Sequence, residues 1–129
     1  MNIGEVSARS GMSAKMIRKY EASGIISKVK RNSSGYRQYS DNDIHTFRFI
    51  KRSRDLGFSM VDIKELVSLW LNKRRASLNV KKITEKHINR LETKAVEIEK
   101  ILKTLRHLNK NCHGDNRPEC PIIDSLQDI

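Results

Sequence analysis

Residues 80–110 place the strongest constraint on this chain. Ile88, Leu91, Ala95, Ile98, Leu102 and Leu105 recur at spacings of three and four, the interval at which side chains share one face of an α-helix. Ile101 and Leu108 widen the stripe. A helix of about 30 residues is roughly 45 Å long at a rise of about 1.5 Å per residue, more than the rest of so short a chain covers. The stripe therefore predicts a long coiled-coil dimerisation helix whose partner is a second copy of the chain, a homodimer. The competing reading is a helix folded back on its own domain. With 129 residues in all, a large catalytic fold such as a TIM barrel does not fit. No window approaches the run of about 18 apolar residues that spans a membrane.

Upstream of the stripe the sequence is punctuated by glycine. Ile3, Val6 and Ala8 suit one face of a short helix over about residues 2–9, which Ser10-Gly11 breaks. Ser13 is a good N-cap for a second helix from Ala14 to about Ser23, closed by Gly24. Helix, tight turn, helix is the helix-turn-helix pattern. Ile17 and Tyr20 face inward, and Lys15, Arg18 and Lys19 share the outer side, a basic face suited to the major groove.

The next segment changes character. Lys28, Lys30 and Arg31 lead into Asn32-Ser33-Ser34-Gly35 and then Tyr36-Arg37-Gln38-Tyr39. This predicts a hairpin with its tip at Asn32–Gly35, a wing that presents Arg31, Tyr36 and Arg37 beside the groove. An ordinary surface hairpin is the plainer reading. Ser40 caps a third helix with Asp41 and Asp43 in its first turn. Ile44, Phe47, Ile50 and Arg54 run toward Gly57, and Arg48, Lys51 and Arg52 keep the helix basic. Ser59 opens a fourth helix, made apolar on one face by Ile63, Leu66, Val67 and Trp70, and Phe58 packs in the turn before it. The expected organisation is mainly α: a winged helix-turn-helix DNA-binding domain over residues 1–71, a polar connector over 72–79, the dimerisation helix over 80–110, and a metal-binding loop with a short C-terminal helix over 111–129.

Charge agrees with a polyanionic partner. Residues 1–60 hold 12 Lys and Arg against 5 Asp and Glu, and residues 61–129 hold 14 against 10. Neutralising phosphates with such a surface releases counterions, so double-stranded DNA is the natural partner.

Both cysteines lie in the tail, Cys112 and Cys120, on a loop marked by Gly114 and Pro118. The opening Met1-Asn2-Ile3-Gly4-Glu5 lacks the layout of a signal peptide. Two cysteines without an export signal point to a reducing, cytoplasmic setting, where metal or redox chemistry is the expectation rather than a structural disulfide. Zinc ordinarily takes four ligands, and the loop offers two sulfurs and His113. Two soft thiolates suit Cu(I), and by the same softness Ag(I) or Au(I), at one ion per loop. The anionic unit so formed needs compensation, and the N-terminus of the helix after Cys120 supplies partial positive charge. A dithiol redox sensor and a metal-independent architectural DNA-binding protein stay open as alternatives. A [2Fe–2S] sensor is excluded because it needs four cysteines. His45, His87 and His107 read as structural or exposed, and none of the four methionines reads as a ligand. No Cys-x-x-Cys, triad or phosphate loop is present, so no enzyme is expected.

Taken in order, Ile3-Gly4-Glu5-Val6, Gly11-Met12-Ser13, Ile17-Arg18 and Tyr20-Glu21, then Gly35-Tyr36-Arg37-Gln38-Tyr39 and Leu56-Gly57-Phe58-Ser59, resemble the MerR family of metal-responsive transcription activators over nearly the whole chain. The tail Cys112…Cys120-Pro121-Ile122-Ile123, with Ser77, is similar to the family's copper-efflux regulators. Lys19 stands where the family usually has an aromatic residue, and His113 where proline is common. The resemblance implies DNA contacts from Lys15, Arg18 and Tyr20, from Arg31, Tyr36 and Arg37, and from Arg54. It implies that Ser77, where regulators of divalent ions carry a third cysteine, selects a monovalent ion, and that Lys81 offsets the site's charge. It further implies that the long antiparallel coiled-coil dimerisation helix pairs two copies, and a promoter held in both states, distorted on metal binding so that RNA polymerase engages it, with copper efflux and detoxification genes as the targets.

Overall fold

The computed structural model describes residues 1–26 and 30–127. Lys28, read above as part of the basic segment, lies outside the described residues. The elements in order are α1 (Ile3–Ser10), α2 (Ala14–Ala22), β1 (Lys30–Arg31), β2 (Arg37–Gln38), α3 (Asp41–Asp55), α4 (Met60–Leu71), α5 (Ser77–Asn111) and α6 (Pro121–Gln127). They divide into two compact units, Met1–Ile83 and Thr84–Ile129. Among the described residues no helix is long and apolar enough to cross a membrane.

In the first unit, α1 to α4 each start where a side chain satisfies a free amide. The Asn2 side chain accepts from the Glu5 amide at 2.9 Å, Ser13 from Met16 at 3.2 Å, and Ser59 from Asp62 at 3.1 Å. Ser40 and Asp43 form a reciprocal capping box, with the Ser40 amide donating to Asp43 at 2.8 Å. Each such cap contributes about 1 kcal/mol. Gly11 ends α1 in the left-handed region, with φ +80°, and a Cβ there would sit 3.1 Å from Lys51 Cε of α3. Glycine thus serves both the turn and the close approach of α3.

The core of this unit is continuous. α1 packs on α2 and α3, and α3 on α4. Val6, Ile17, Phe47, Ile50 and Ile63 are its most enclosed side chains, joined by Met12, Tyr20, Ile25, Ile26, Tyr39, Ile44 and Val67. The inward residues expected from helical spacing in α2 and α3 are the buried ones. Phe58 packs against this core from the α3–α4 turn. Tyr39 meets Phe47 edge-on at 6.0 Å, which anchors the end of β2 to α3.

The hairpin is antiparallel, pairing Lys30 with Gln38 and Arg31 with Arg37. Its tip is organised by Asn32, whose side-chain oxygen accepts from the amides of Ser34 and Tyr36, both at 3.0 Å. An asparagine that binds backbone two residues on is a turn former in its own right.

One boundary differs from the sequence expectation. α5 begins at Ser77, not Val80, so the connector closes within Asn72–Ala76. Asn72 makes a local turn, its side chain accepting from the Arg74 amide at 2.9 Å, and Arg75 Nη1 donates to the Trp70 carbonyl at the end of α4 at 3.2 Å. The turn is complete by Ala76, and nothing in Ser77-Leu78-Asn79 breaks a helix. Ser77 is therefore a first-turn residue of α5.

In the second unit, α5 continues to Asn111 and leads through a loop to α6. The apolar stripe stands uncovered within the single chain: Ile88, Leu91, Ile98, Ile101 and Leu105 are all exposed, Ile98 at 56%. His87 is buried, while His107 is exposed and lies 3.2 Å from Asn111 Nδ2.

Candidate functional site

Two sites are built separately, one in each unit. In the second unit, Cys112 follows the last turn of α5, its amide donating to the Asn109 carbonyl at 3.2 Å. Cys120 precedes α6 and its carbonyl accepts from the Asp124 amide at 3.0 Å. Between them Gly114 adopts φ +65°, and Arg117 closes the loop on Asp115, with its amide at 2.9 Å and its Nε at 2.8 Å. The loop returns on itself so that the two sulfurs lie 3.5 Å apart, both half-buried.

That separation is well beyond a disulfide bond of about 2.05 Å. Two sulfurs that share one ion at bonds of about 2.3 Å lie no more than roughly 4.6 Å apart, and the pair meets that limit. The Cys120 thiol is held below its ordinary range, chiefly because the Ile123 amide donates to its sulfur and then because the Cys112 thiol does. These donors favour the thiolate, which is the form that binds metal. Among the described residues, no group of three or more His, Cys, Asp and Glu side chains is arranged to hold an ion. The donor set offered within one chain is two sulfurs, which fits a soft ion of low coordination number. Ser77 and Lys81 are exposed residues of the first two turns of α5, in the first unit.

In the first unit, the expected DNA-facing residues fall on α2, the hairpin and the end of α3. Lys15 and Arg18 are exposed on α2. A cleft of about 250 Å³ between α1, α2 and the hairpin is lined by Arg18, Arg31, Arg37 and Tyr36 together with Asn2 and Ile3. Four side chains separated by up to 19 positions in sequence thus share one concave surface. Arg31 is steered by its Nη1 bond to the Gly35 carbonyl at 2.9 Å, and Tyr36 is 71% exposed. Arg54 is exposed in the last turn of α3. Its charge reaches Tyr20, lowering a phenol that burial pushes up.

Tyr20 corrects the expectation. Its ring is 2% exposed and belongs to the core, because it shares the inward face of α2 with Ile17. It joins α2 to the core and lies away from the helix's exposed basic side. Arg37 is more constrained than a free phosphate-binding arginine would be: its Nε donates to Glu21 Oε2 at 2.9 Å.

Two features escaped the sequence reading. Glu21 was visible only as part of a motif, and its partners Arg37 and Tyr39 are 16 and 18 residues away. Phe49 of α3 stacks on Trp70 of α4, centroids 4.5 Å apart and rings 3° from parallel, forming one side of an open cleft with His45, Arg48, Arg52 and Leu56. The basic, amphipathic pattern of α3 gave no signal for that pairing.

Two family models match the chain, and they overlap. The family model described as MerR HTH family regulatory protein matches residues 1–70, and the one described as MerR, DNA binding matches residues 44–108. The chain is 54% identical over 126 residues to heavy metal-dependent transcription regulator 2 of Rhizobium meliloti (strain 1021), covering 98% of this chain and 86% of that protein. It is 34% identical over 126 residues to the HTH-type transcriptional regulator CueR of Salmonella typhimurium, covering 98% and 91%. Among solved structures, the transcription regulator PbrR691 from Ralstonia metallidurans CH34 in complex with lead(II) matches with a TM-score of 0.83 at 25% identity, with 98% of each chain covered. The likeness to copper-efflux regulators seen in the tail thus sits beside higher identity to a protein named only for heavy metals.

Proposed function

This chain belongs to the MerR family of DNA-binding transcription regulators, and we propose that it is a homodimeric activator that responds to Cu(I), or to Ag(I) or Au(I), through Cys112 and Cys120. The observation that carries the reading is the sulfur pair, 3.5 Å apart on a closed loop. Relatives named for heavy metals and for CueR support it. When bound, a soft monovalent ion supplies a link between the two sulfurs at neutral pH. The chain supplies the rest. The Ile123 amide lowers the Cys120 thiol's pKa and so favours its thiolate, Arg117 and Asp115 close the loop, and Ser77 offers no third sulfur at the start of α5. Lys81 contributes compensating charge.

On DNA, Lys15 and Arg18 of α2 are the residues assigned to base edges, and Arg31, Tyr36, Arg37 and Arg54 to phosphates. The uncovered stripe of α5 pairs with that of a second copy, which sets the distance between two winged heads on one face of the duplex. In this scheme residues 1–71 form the DNA-binding domain, 72–79 the connector, 80–110 the dimerisation helix and 111–129 the sensing segment. The dimer occupies the promoter with and without metal, and metal binding changes the DNA shape that RNA polymerase meets. Copper efflux and detoxification genes are the proposed targets.

X-ray absorption on the Cu(I)-loaded dimer tests the site. Two short Cu–S bonds with no nitrogen scatterer are expected, and a nitrogen at bonding distance would bring His113 into the ligand set and displace the two-sulfur reading. The same 3.5 Å gap favours a second reading, a dithiol redox sensor. It predicts transcription that follows peroxide rather than Cu(I).

A further inference from the structure

The hairpin and α2 meet at one carboxylate. Arg37 Nε donates to Glu21 Oε2 at 2.9 Å, and the Tyr39 hydroxyl reaches the same oxygen at 3.4 Å. The pair is enclosed, Arg37 being 27% and Glu21 15% exposed, so salt screens it less than it does a surface pair. A glutamate on a DNA-facing helix would by itself repel phosphates. Here its charge is matched by a guanidinium and its oxygen is occupied by two donors.

The geometry also limits what Arg37 does. A guanidinium has five N–H donors in a rigid fork, and Glu21 takes the one on Nε. Arg37 also lines the cleft that Arg18, Arg31 and Tyr36 share. Holding one edge of a planar fork fixes where its other edge points.

We propose that Glu21 is a positioning residue for DNA binding: it holds Arg37 in the cleft shared with Arg18 and Arg31, where a backbone phosphodiester sits, and so sets the spacing between α2 and the wing. The inference rests on the DNA-binding reading and extends it from residues that touch DNA to one that aims them. If the pair were only a fold-stabilising salt bridge, its removal would lower thermal stability and weaken every DNA contact together.

The test uses the full-length dimer and a duplex selected from a random pool by the wild-type protein. Glu21→Gln is expected to weaken binding about tenfold, in keeping with the loss of one charge-assisted hydrogen bond. The salt dependence becomes shallower by about one unit of slope for each phosphate that is no longer neutralised. Hydroxyl-radical protection disappears at the outer phosphates opposite the wing and is kept in the central major-groove segments. The double variant Glu21→Gln/Arg37→Gln binds no more weakly than Arg37→Gln alone. Wild-type affinity and footprint in Glu21→Gln overturn the proposal, as does a uniform loss of protection in step with a lowered Tm. Arg37→Lys keeps the cleft's charge but not the fork, and provides an independent check: it must show the same selective loss, and a wild-type footprint from it overturns the proposal even if Glu21→Gln fails to fold. A wild-type chain that selects no duplex would instead remove the DNA-binding reading itself.

Discussion

The DNA-binding head and the cysteine-bearing tail are built in opposite ways. The head encloses a continuous core around Phe47, Ile17 and Ile50, each of its four helices begins on a capping side chain, and its arginines are steered by Gly35 and Glu21. The tail buries no residue of α6, leaves Ile123 and Leu126 exposed, and is held by bonds within its own loop. A prebuilt head spends little of its binding energy on ordering when it meets DNA. A sparsely packed sensing loop lets a bound ligand shift the balance between conformers, because so few other interactions decide it. Under the proposed function the contrast divides labour: occupancy of DNA is set by the head, and response is set by the tail.

The largest effect expected is at the tail. Cys120→Ser should abolish Cu(I)-dependent transcription and lower Cu(I) affinity by at least about 100-fold, since one soft ligand of two is removed. Operator affinity should stay within about twofold of wild type, as measured by fluorescence anisotropy. A parallel loss of DNA binding would break the division of labour.

Stability separates the regions next. Phe47→Ala should lower unfolding stability by about 3–5 kcal/mol, the usual range for truncating a large core side chain. Ile123→Ala should lower it by under about 0.5 kcal/mol in a chain where that side chain is exposed. Chemical denaturation of both variants checks this. A costly Ile123→Ala would show that the tail is covered in the dimer, and would sharpen the comparison by placing the sensor against a partner surface.

The smallest effect concerns pH. Burial, reinforced by the Glu21 carboxylate, raises the Tyr39 phenol from 10.0 to about 12. The proton is held more tightly in the folded state, so this group's contribution to stability is intact below pH 10 and is lost as the pH rises through about 12. Tyr39→Phe should therefore flatten the fall in Tm between about pH 9.5 and 11.5 relative to wild type. No difference between the two slopes would detach Tyr39 from the head's stability at high pH.

Much of this architecture was legible in the residues. Glycine and serine punctuation at Gly11, Ser13, Ser40 and Ser59 marked where the head's later helices begin, and spacing within α2 and α3 picked out Ile17, Ile44, Phe47 and Ile50 as core. The two cysteines in one short loop marked the candidate metal centre. These are local signals: caps act over three residues, helical faces over three or four, and a short loop limits how far apart its ends lie. Less legible was the start of α5, where an Asn72 turn and the Arg75 bond to Trp70 shorten the connector.

The sequence by itself determined that the chain would be helical and basic at one end, striped along a long helix, and thiol-bearing at the other end. Only the tertiary structure decided which arginines are steered and which rings stack. Arg37 meets Glu21 across 16 residues, Tyr39 reaches the same carboxylate across 18, and Phe49 of α3 finds Trp70 of α4. Such pairings carry no periodic mark, because they depend on where packed helices bring distant side chains, and that is settled by the shape of the core.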